Sequence, residues 1–402
     1  MNIYERLRVP TIINAKGPAT RLSGGLMSNE VAEAMKEATQ YCVEMTELQT
    51  RASEIISKIT GAEAGCVTSG AAAGLLLGTA ACVTGLDPNK MNQLPNTSKM
   101  LNEVVIIRSQ RNLYDHAVRA VGVKLVEVGL PDRYSGAGVR DAEPWEIDDA
   151  ITQNTACVFY VAGPNSKPAL KQVTKVAHAS GVPVLVDAAA QLPPQKNLSH
   201  FIEEGADLVV FSGGKSIGGP QGSGFLCGRQ ELVAAALLQN LDQDVFYEQW
   251  NPPSGLFDKT KLKGLPQHGI GRACKVGKEQ VVGLLLALQN YSQGKTETKK
   301  NQKLLEVLKE LLRPNIRSQA RLITETGTEE LKLHLTVGGG SEDKAFKILL
   351  DLQNGTPSVH PDPGKLDQGV IVFSASCLKP EHPKQIAERL NEIFTKRFKE
   401  NP

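Results

Sequence analysis

The amino-acid sequence predicts an α/β protein: a large domain built on a mostly parallel sheet, followed by a small C-terminal α+β domain. Three observations carry the prediction. Short Val/Ile/Leu-rich runs alternate with helix-like segments between about residues 50 and 230. Those runs lack apolar–polar alternation, as strands covered on both faces do. Near residue 296 the grain changes, and charged amphipathic helices and short strands take over.

Candidate strands lie at 65–68, 104–108, 124–128, 156–161, 183–187, 208–211 and 224–227. Helices between them begin after Ser69-Gly70 and around Lys167-Pro168, and strand–helix alternation of this kind belongs to parallel sheets. Residues 250–267, with Pro252, Pro253 and Pro266 among polar neighbours, are expected to form a loop. Residues 277–290 place Val281, Leu284, Leu285 and Leu288 on one helical face, and 296–312 read as a charged amphipathic helix. The tail is expected to add strands at about 321–324, 332–337 and 369–373 and helices at 344–352 and 382–397. Gly338-Gly339-Gly340 marks a turn or a flexible link. The expected division is an N-terminal arm and helical segment at 1–49, the large domain at 50–295 and the small domain at 296–402.

Composition narrows the function. Hydrophobic residues make up 41% and charged residues 22% of the 402, ordinary globular usage that excludes disordered and fibrous classes. The net charge of +2 is no footprint for wrapping a nucleic acid. The longest apolar runs, such as 70–83, are too short to span a membrane, and the charged first ten residues hold no apolar secretory core. Seven cysteines are scattered without metal spacing, which reads as reduced thiols in a cytoplasmic protein that binds no metal.

Three spots carry chemistry. Thr68-Ser69-Gly70-Ala71-Ala72 follows a strand and opens an Ala/Leu helix, where small residues let backbone N–H groups approach an anion at the helix N-terminus. A dinucleotide site would require G-x-G-x-x-G, which is absent. Asp187 ends a buried apolar strand, the place where open α/β sheets bind ligands, and Ala188, Ala189, Ala190 and Gln191 leave room beside its carboxylate. Lys215 follows a third strand through Ser212-Gly213-Gly214, and more glycines follow it. The Walker pattern fails there, because a Gly-rich run and another strand come after the lysine instead of a helix. An anion-cradling turn, a strand-end acid and a strand-end amine, in that order, describe a pyridoxal phosphate site. The amine forms the Schiff base, the acid keeps the pyridine nitrogen protonated, and the turn with hydroxyls such as Ser69 and Ser212 takes the phosphate.

The segments I-I-N-A-K-G-P-A-T-R-L-S-G-G (12–25), M-T-E-L-Q-T-R-A (45–52), V-T-S-G-A-A-A-G, V-D-A-A-A-Q, F-S-G-G-K-S-I-G-G-P-Q-G-S-G-F-L-C-G-R and G-R-A-C-K-V-G-K-E (271–279) carry a resemblance. The chain resembles fold-type-I pyridoxal phosphate enzymes, most closely the branch related to bacterial selenocysteine synthase, L-seryl-tRNA(Sec) selenium transferase, which includes D-glucosaminate-6-phosphate ammonia-lyase-like proteins. The resemblance implies catalytic roles for Lys215, as the internal aldimine lysine, and for Asp187, as partner of the ring nitrogen. It puts Ser69, Gly70, Ala71, Gln191 and Ser212 at the cofactor and Arg272 and Lys275 where basic residues handle anionic substrate groups. The ring-stacking residue is expected after the 104–108 strand, among Gln110, Arg111, Tyr114 and His116.

The expected activity is that of a lyase. It would convert a small amino acid or amino-sugar acid to a 2-keto acid and ammonia through a Cα carbanion. The alternatives are a selenocysteine synthase-like transferase acting on seryl-tRNA, or an aldolase, racemase or aminotransferase of the same fold. The resemblance further implies at least a homodimer.

Overall fold

The computed structural model describes residues 2–130, 141–295, 298–325 and 330–398. They form two compact units, one from residues 1–26 and 295–402 and the other from 27–294.

In the first unit, β1 (Ile13–Ala15) pairs in parallel with a strand close to the other end of the chain, Val359–Pro361. The stretch 1–49 is therefore not a single arm. Ile13 and Ala15 bury among Leu305, Leu308 and Phe373 of this unit, whereas Ala52 and Ile56, on the helix Met45–Thr60, bury in the core of the other.

The larger unit carries a seven-stranded sheet of β2 (Ala64–Thr68), β3 (Glu103–Ile107), β4 (Lys124–Val128), β5 (Thr155–Val161), β6 (Val184–Asp187), β7 (Leu208–Ser212) and β8 (Gly224–Gly228). The strand order is β2-β8-β7-β6-β5-β3-β4. β7, β6, β5, β3 and β4 run parallel, and β8 runs antiparallel to both its neighbours. All seven fall where the apolar runs predicted them, within a residue or so at each end.

The missing alternation has a direct cause. Val105 and Ile107 face one core, with helices Met45–Thr60, Leu170–Ala179 and Lys278–Ser292, while Val104 and Ile106 face another, with helices Ala71–Thr84 and Gln230–Asn240. Both faces are covered there, so the interior positions of β3 are apolar without alternation, as are those of β5, β6 and β7; at the edge strand β4, Lys124 and Glu127 are exposed.

The outer edge of β2 is capped by side chains. Gln49 donates its amide N–H to the Val67 carbonyl at 3.0 Å and accepts from the Val67 N–H at 3.0 Å, and Ser53 accepts from the Gly65 N–H at 3.0 Å. Residues 250–267 lack strands and carry only the short 3-10 turn Lys259–Lys261, yet Trp250, Leu256, Phe257 and Leu262 are buried.

The smaller unit continues with β9 (Ala320–Thr324), β10 (Leu331–Thr336), β11 (Val359–Pro361) and β12 (Val370–Phe373). β12, β10 and β9 form an antiparallel sheet backed by helices Thr298–Leu311, Glu342–Gln353 and His382–Phe398. The helix expected at 296–312 begins at Thr298; residues 296 and 297 lie outside the described residues. Gly338, Gly339 and Gly340 all take positive φ, as a tight turn requires. Among the described residues, no helix is long and apolar enough to cross a membrane.

Candidate active site

The carboxyl ends of β6 and β7 bring the predicted acid and amine together. Asp187 is the last residue of β6 and is 8% exposed. Its Oδ1 accepts a hydrogen bond from the Ala189 N–H at 3.0 Å. Lys215 follows the end of β7, and its Nζ donates to the Ala189 carbonyl at 3.0 Å.

The surroundings pull both groups toward neutrality. Burial raises the Asp187 carboxyl above the ordinary carboxylate value, with the Ala189 N–H and the Lys215 charge pulling it back. Burial lowers the Lys215 amine, and the Asp187 charge opposes that. Each charge supports the other in a place that disfavours both.

The loop that carries Lys215 is folded tightly. Gly213 donates its N–H to the Ser223 carbonyl and accepts from the Gly219 N–H, both at 2.9 Å. A Cβ on Gly214 would lie 2.6 Å from the Gln221 backbone, so the position admits only glycine. Ser212, half-buried at the end of β7, lies opposite Gly224. Gln191 turns back on Ala188 through its N–H, and its carbonyl accepts from Asn197 at 2.7 Å.

The predicted anion turn sits at the end of β2. Gly70 has φ +95°, and nothing lies within 4 Å of the place its Cβ would take. It precedes the helix Ala71–Thr84, whose first-turn N–H groups have no intrahelical acceptor. Gly74 presses that helix onto the sheet: a Cβ there would meet Val210 at 2.8 Å. From below, Gly224 approaches so closely that its Cβ would lie 2.7 Å from the Gly70 carbonyl carbon and 2.8 Å from the Ala71 nitrogen. The Ser69 hydroxyl donates to the Cys274 carbonyl at 2.7 Å, so the turn's remaining donors are backbone N–H groups.

That bond places the 271–275 segment beside the turn. Asn240 holds the same segment from the other side, donating to the Gly271 and Cys274 carbonyls at 2.8 and 3.2 Å. Arg272 is occupied, with a 2.9 Å ion pair to Asp242 and a bond to the Asn240 carbonyl. Lys275 is exposed. Sequence reasoning missed Asn240, a polar residue in an apolar helix; its near-complete burial is the signal that marks it.

The four residues proposed after β3 separate. Tyr114 and His116 are exposed. Arg111 pairs with Asp115 at 2.5 Å and with Glu127. Gln110 is buried, and its Oε1 accepts from the Val161 N–H at 2.9 Å.

A mostly parallel sheet with these groups along its carboxyl edge defines a fold-type-I pyridoxal phosphate enzyme. The L-seryl-tRNA selenium transferase family profile matches residues 12–244, and the chain belongs to that family. It is similar to 5'-C-glycyluridine monooxygenase-decarboxylase of a Streptomyces species, at 29% identity over 97% of this chain and 92% of the relative. It is also similar to D-glucosaminate-6-phosphate ammonia lyase of Salmonella typhimurium, at 33% identity over 73% of this chain and 71% of the relative. A solved structure of D-glucosaminate-6-phosphate ammonia-lyase superposes with a TM-score of 0.79 at 28% identity, covering 98% of this chain and 99% of that one.

Proposed function

We propose that the protein is a lyase for a small amino acid or amino-sugar acid, releasing a 2-keto acid and ammonia. The observation that carries the reading is the convergence of Lys215 and Asp187 on the single residue Ala189.

The residues present suit pyridoxal phosphate. Asp187 is a buried acid without a full counter-ion, and a protonated ring nitrogen would supply one. Gly70 and the first-turn N–H groups at Ala71 offer an open cradle for the phosphate; Ser212, which like Thr68 lies opposite Gly224, would add a hydroxyl, and Ser69 and Gln191 would complete the cofactor's surroundings. When bound, the cofactor supplies an electron sink for negative charge at the substrate's α-carbon.

Lys215 would then have two tasks: to hold the cofactor's carbonyl carbon, and to take the α-proton onto Nζ once substrate has displaced it. Its amine, lowered by burial, is suited to the second. The proton held on Nζ would leave with a β-hydroxyl as water, and return of Nζ to the carbonyl carbon would free an enamine. After release it tautomerises to an imine and takes up one water to give the keto acid and ammonia, so no external oxidant is needed. Lys275, exposed beside the anion turn, would meet an anionic substrate group, and Arg272 would hold that segment in place.

The ammonia-lyase relative supports elimination as the reaction class. Free, dispersed cysteines support a cytoplasmic setting, and exposed Leu113 and Phe246 support a homodimer.

The test is keto-acid release from a panel of amino acids and amino-sugar acids by the holoenzyme, with dissolved oxygen followed in parallel. Keto acid and ammonia without oxygen uptake support the lyase. Oxygen uptake with decarboxylation, or co-purifying tRNA with selenium transfer, overturns it.

A further inference from the structure

Gln110 ends the short 3-10 turn Arg108–Gln110 that follows β3. Its Oε1 accepts the Val161 N–H at 2.9 Å. Val161 closes β5 and lies opposite Asp187 on β6, and the next N–H, of Ala162, goes to the Asp187 carbonyl at 2.9 Å. Consecutive N–H groups leave a strand on opposite edges, so the Val161 N–H points to the β3 side and the amide lies there, with β5 between it and Asp187, less than two strand spacings (about 10 Å) along the sheet's carboxyl edge.

The bond to Val161 decides which way the amide faces. An N–H needs an oxygen, so the oxygen is turned to the strand and the NH2 is turned away from it. Nε2 is buried, on a side chain whose residue is only 8% exposed, and it has no acceptor among the described residues. A buried amide donor without an acceptor is disfavoured. Of the four residues after β3, Gln110 alone combines burial with an unspent donor, since Arg111 is ion-paired and Tyr114 and His116 are exposed.

The acceptor can be narrowed by chemistry. With the phosphate at the Ser69–Ala71 turn and the ring nitrogen on Asp187, the oxygen left on the cofactor ring is its hydroxyl oxygen. We infer that Gln110 is a cofactor-contacting residue whose Nε2 donates to that ring oxygen, an inference that rests on the placement of pyridoxal phosphate at Lys215 and Asp187.

Gln110→Met removes the donor at similar volume. Gln110→Glu keeps an oxygen for the Val161 N–H, so it carries the test if the methionine variant does not fold. Both are stripped of cofactor and titrated with pyridoxal phosphate alone, following visible absorption, and the loaded proteins are then titrated with pH. The expected result is an apparent Kd raised tenfold or more, and an absorption midpoint moved upward in Gln110→Met by about one pH unit, because the deprotonated ring oxygen has lost its donor. Affinity within twofold of wild type and an unmoved midpoint in the folded variants overturn the inference. A wild type that binds the cofactor but turns over no amino acid overturns the lyase reading and leaves this comparison intact.

Discussion

Lys215 and Asp187 meet through one residue: Ala189 donates its N–H to the Asp187 carboxylate and accepts from the Lys215 amine, both at 3.0 Å. Ala189 lies two residues beyond the end of β6, so the link depends only on how β6 and β7 end side by side. Two groups that burial would neutralise are thereby held within electrostatic reach of each other.

Removing the amine should abolish the cofactor's attachment without harming the fold. Lys215→Ala is expected to lose the visible absorption band of the wild-type holoenzyme and at least about a thousandfold in kcat, since nucleophile and base are both lost. Absorbance and single-turnover assays check this. A variant that keeps the band assigns the attachment elsewhere.

Stability of the cofactor-free protein should depend on pH through Asp187. Its carboxyl is raised in the folded state above 3.8, by burial first, so its contribution is full below pH 3.8 and is lost as pH rises through the folded value. Asp187→Asn removes the charge and keeps an oxygen for Ala189. The cofactor-free variant should therefore melt above cofactor-free wild type near neutral pH. The gap should close as the pH falls toward 3.8. Scanning calorimetry across that range decides it, and a gap that widens on acidification refutes the assignment.

Much of this is legible in the amino-acid sequence, for physical reasons. Strands covered on both faces leave long apolar runs, and Asp187 and Lys215 stand at strand ends that local sequence marks. β1 and β11 were invisible because three residues carry no periodicity and the partners lie at opposite ends of the chain. The Ser69–Cys274 bond spans 205 positions and runs to a backbone carbonyl, which no side-chain pattern announces. Gln110 and His116 read alike as polar residues after a strand, and only burial separates them.

Gly224 tests whether the anion turn depends on the strand beneath it. A Cβ there would meet the Phe211 carbonyl oxygen at 2.7 Å as well as the Gly70 and Ala71 backbone. All three contacts are with backbone, which cannot swing aside. Gly224→Ala should cost about 1–3 kcal/mol, the range for overpacking, and should weaken pyridoxal phosphate binding by displacing the turn. Urea unfolding and cofactor titration separate the two effects.

At Val67 the outer edge of β2 is held by one amide, that of Gln49, while Ser53 holds Gly65. Gln49→Leu leaves the buried Val67 N–H and carbonyl without partners, which should cost about 2–3 kcal/mol. Gln49→Glu keeps an acceptor for the N–H and should cost less. Denaturant midpoints of the two variants give the comparison, and equal midpoints would mean that the amide bonds contribute nothing net.

The two basic residues after the 250–267 loop should behave differently although they stand three positions apart. Arg272 is tied to Asp242 and to the Asn240 carbonyl, and Asn240 holds the Cys274 carbonyl that accepts from Ser69. Lys275 is exposed on the same segment and is free to meet a ligand. Lys275→Met is therefore expected to raise KM for an anionic substrate about tenfold, with kcat and the cofactor's absorption unchanged, as loss of uniform binding does. Arg272→Met should instead loosen the segment and lower cofactor affinity, kcat and thermal stability together. The opposite split, with KM sensitive to Arg272 alone, would transfer the substrate contact to Arg272 and require it to leave Asp242 when substrate binds.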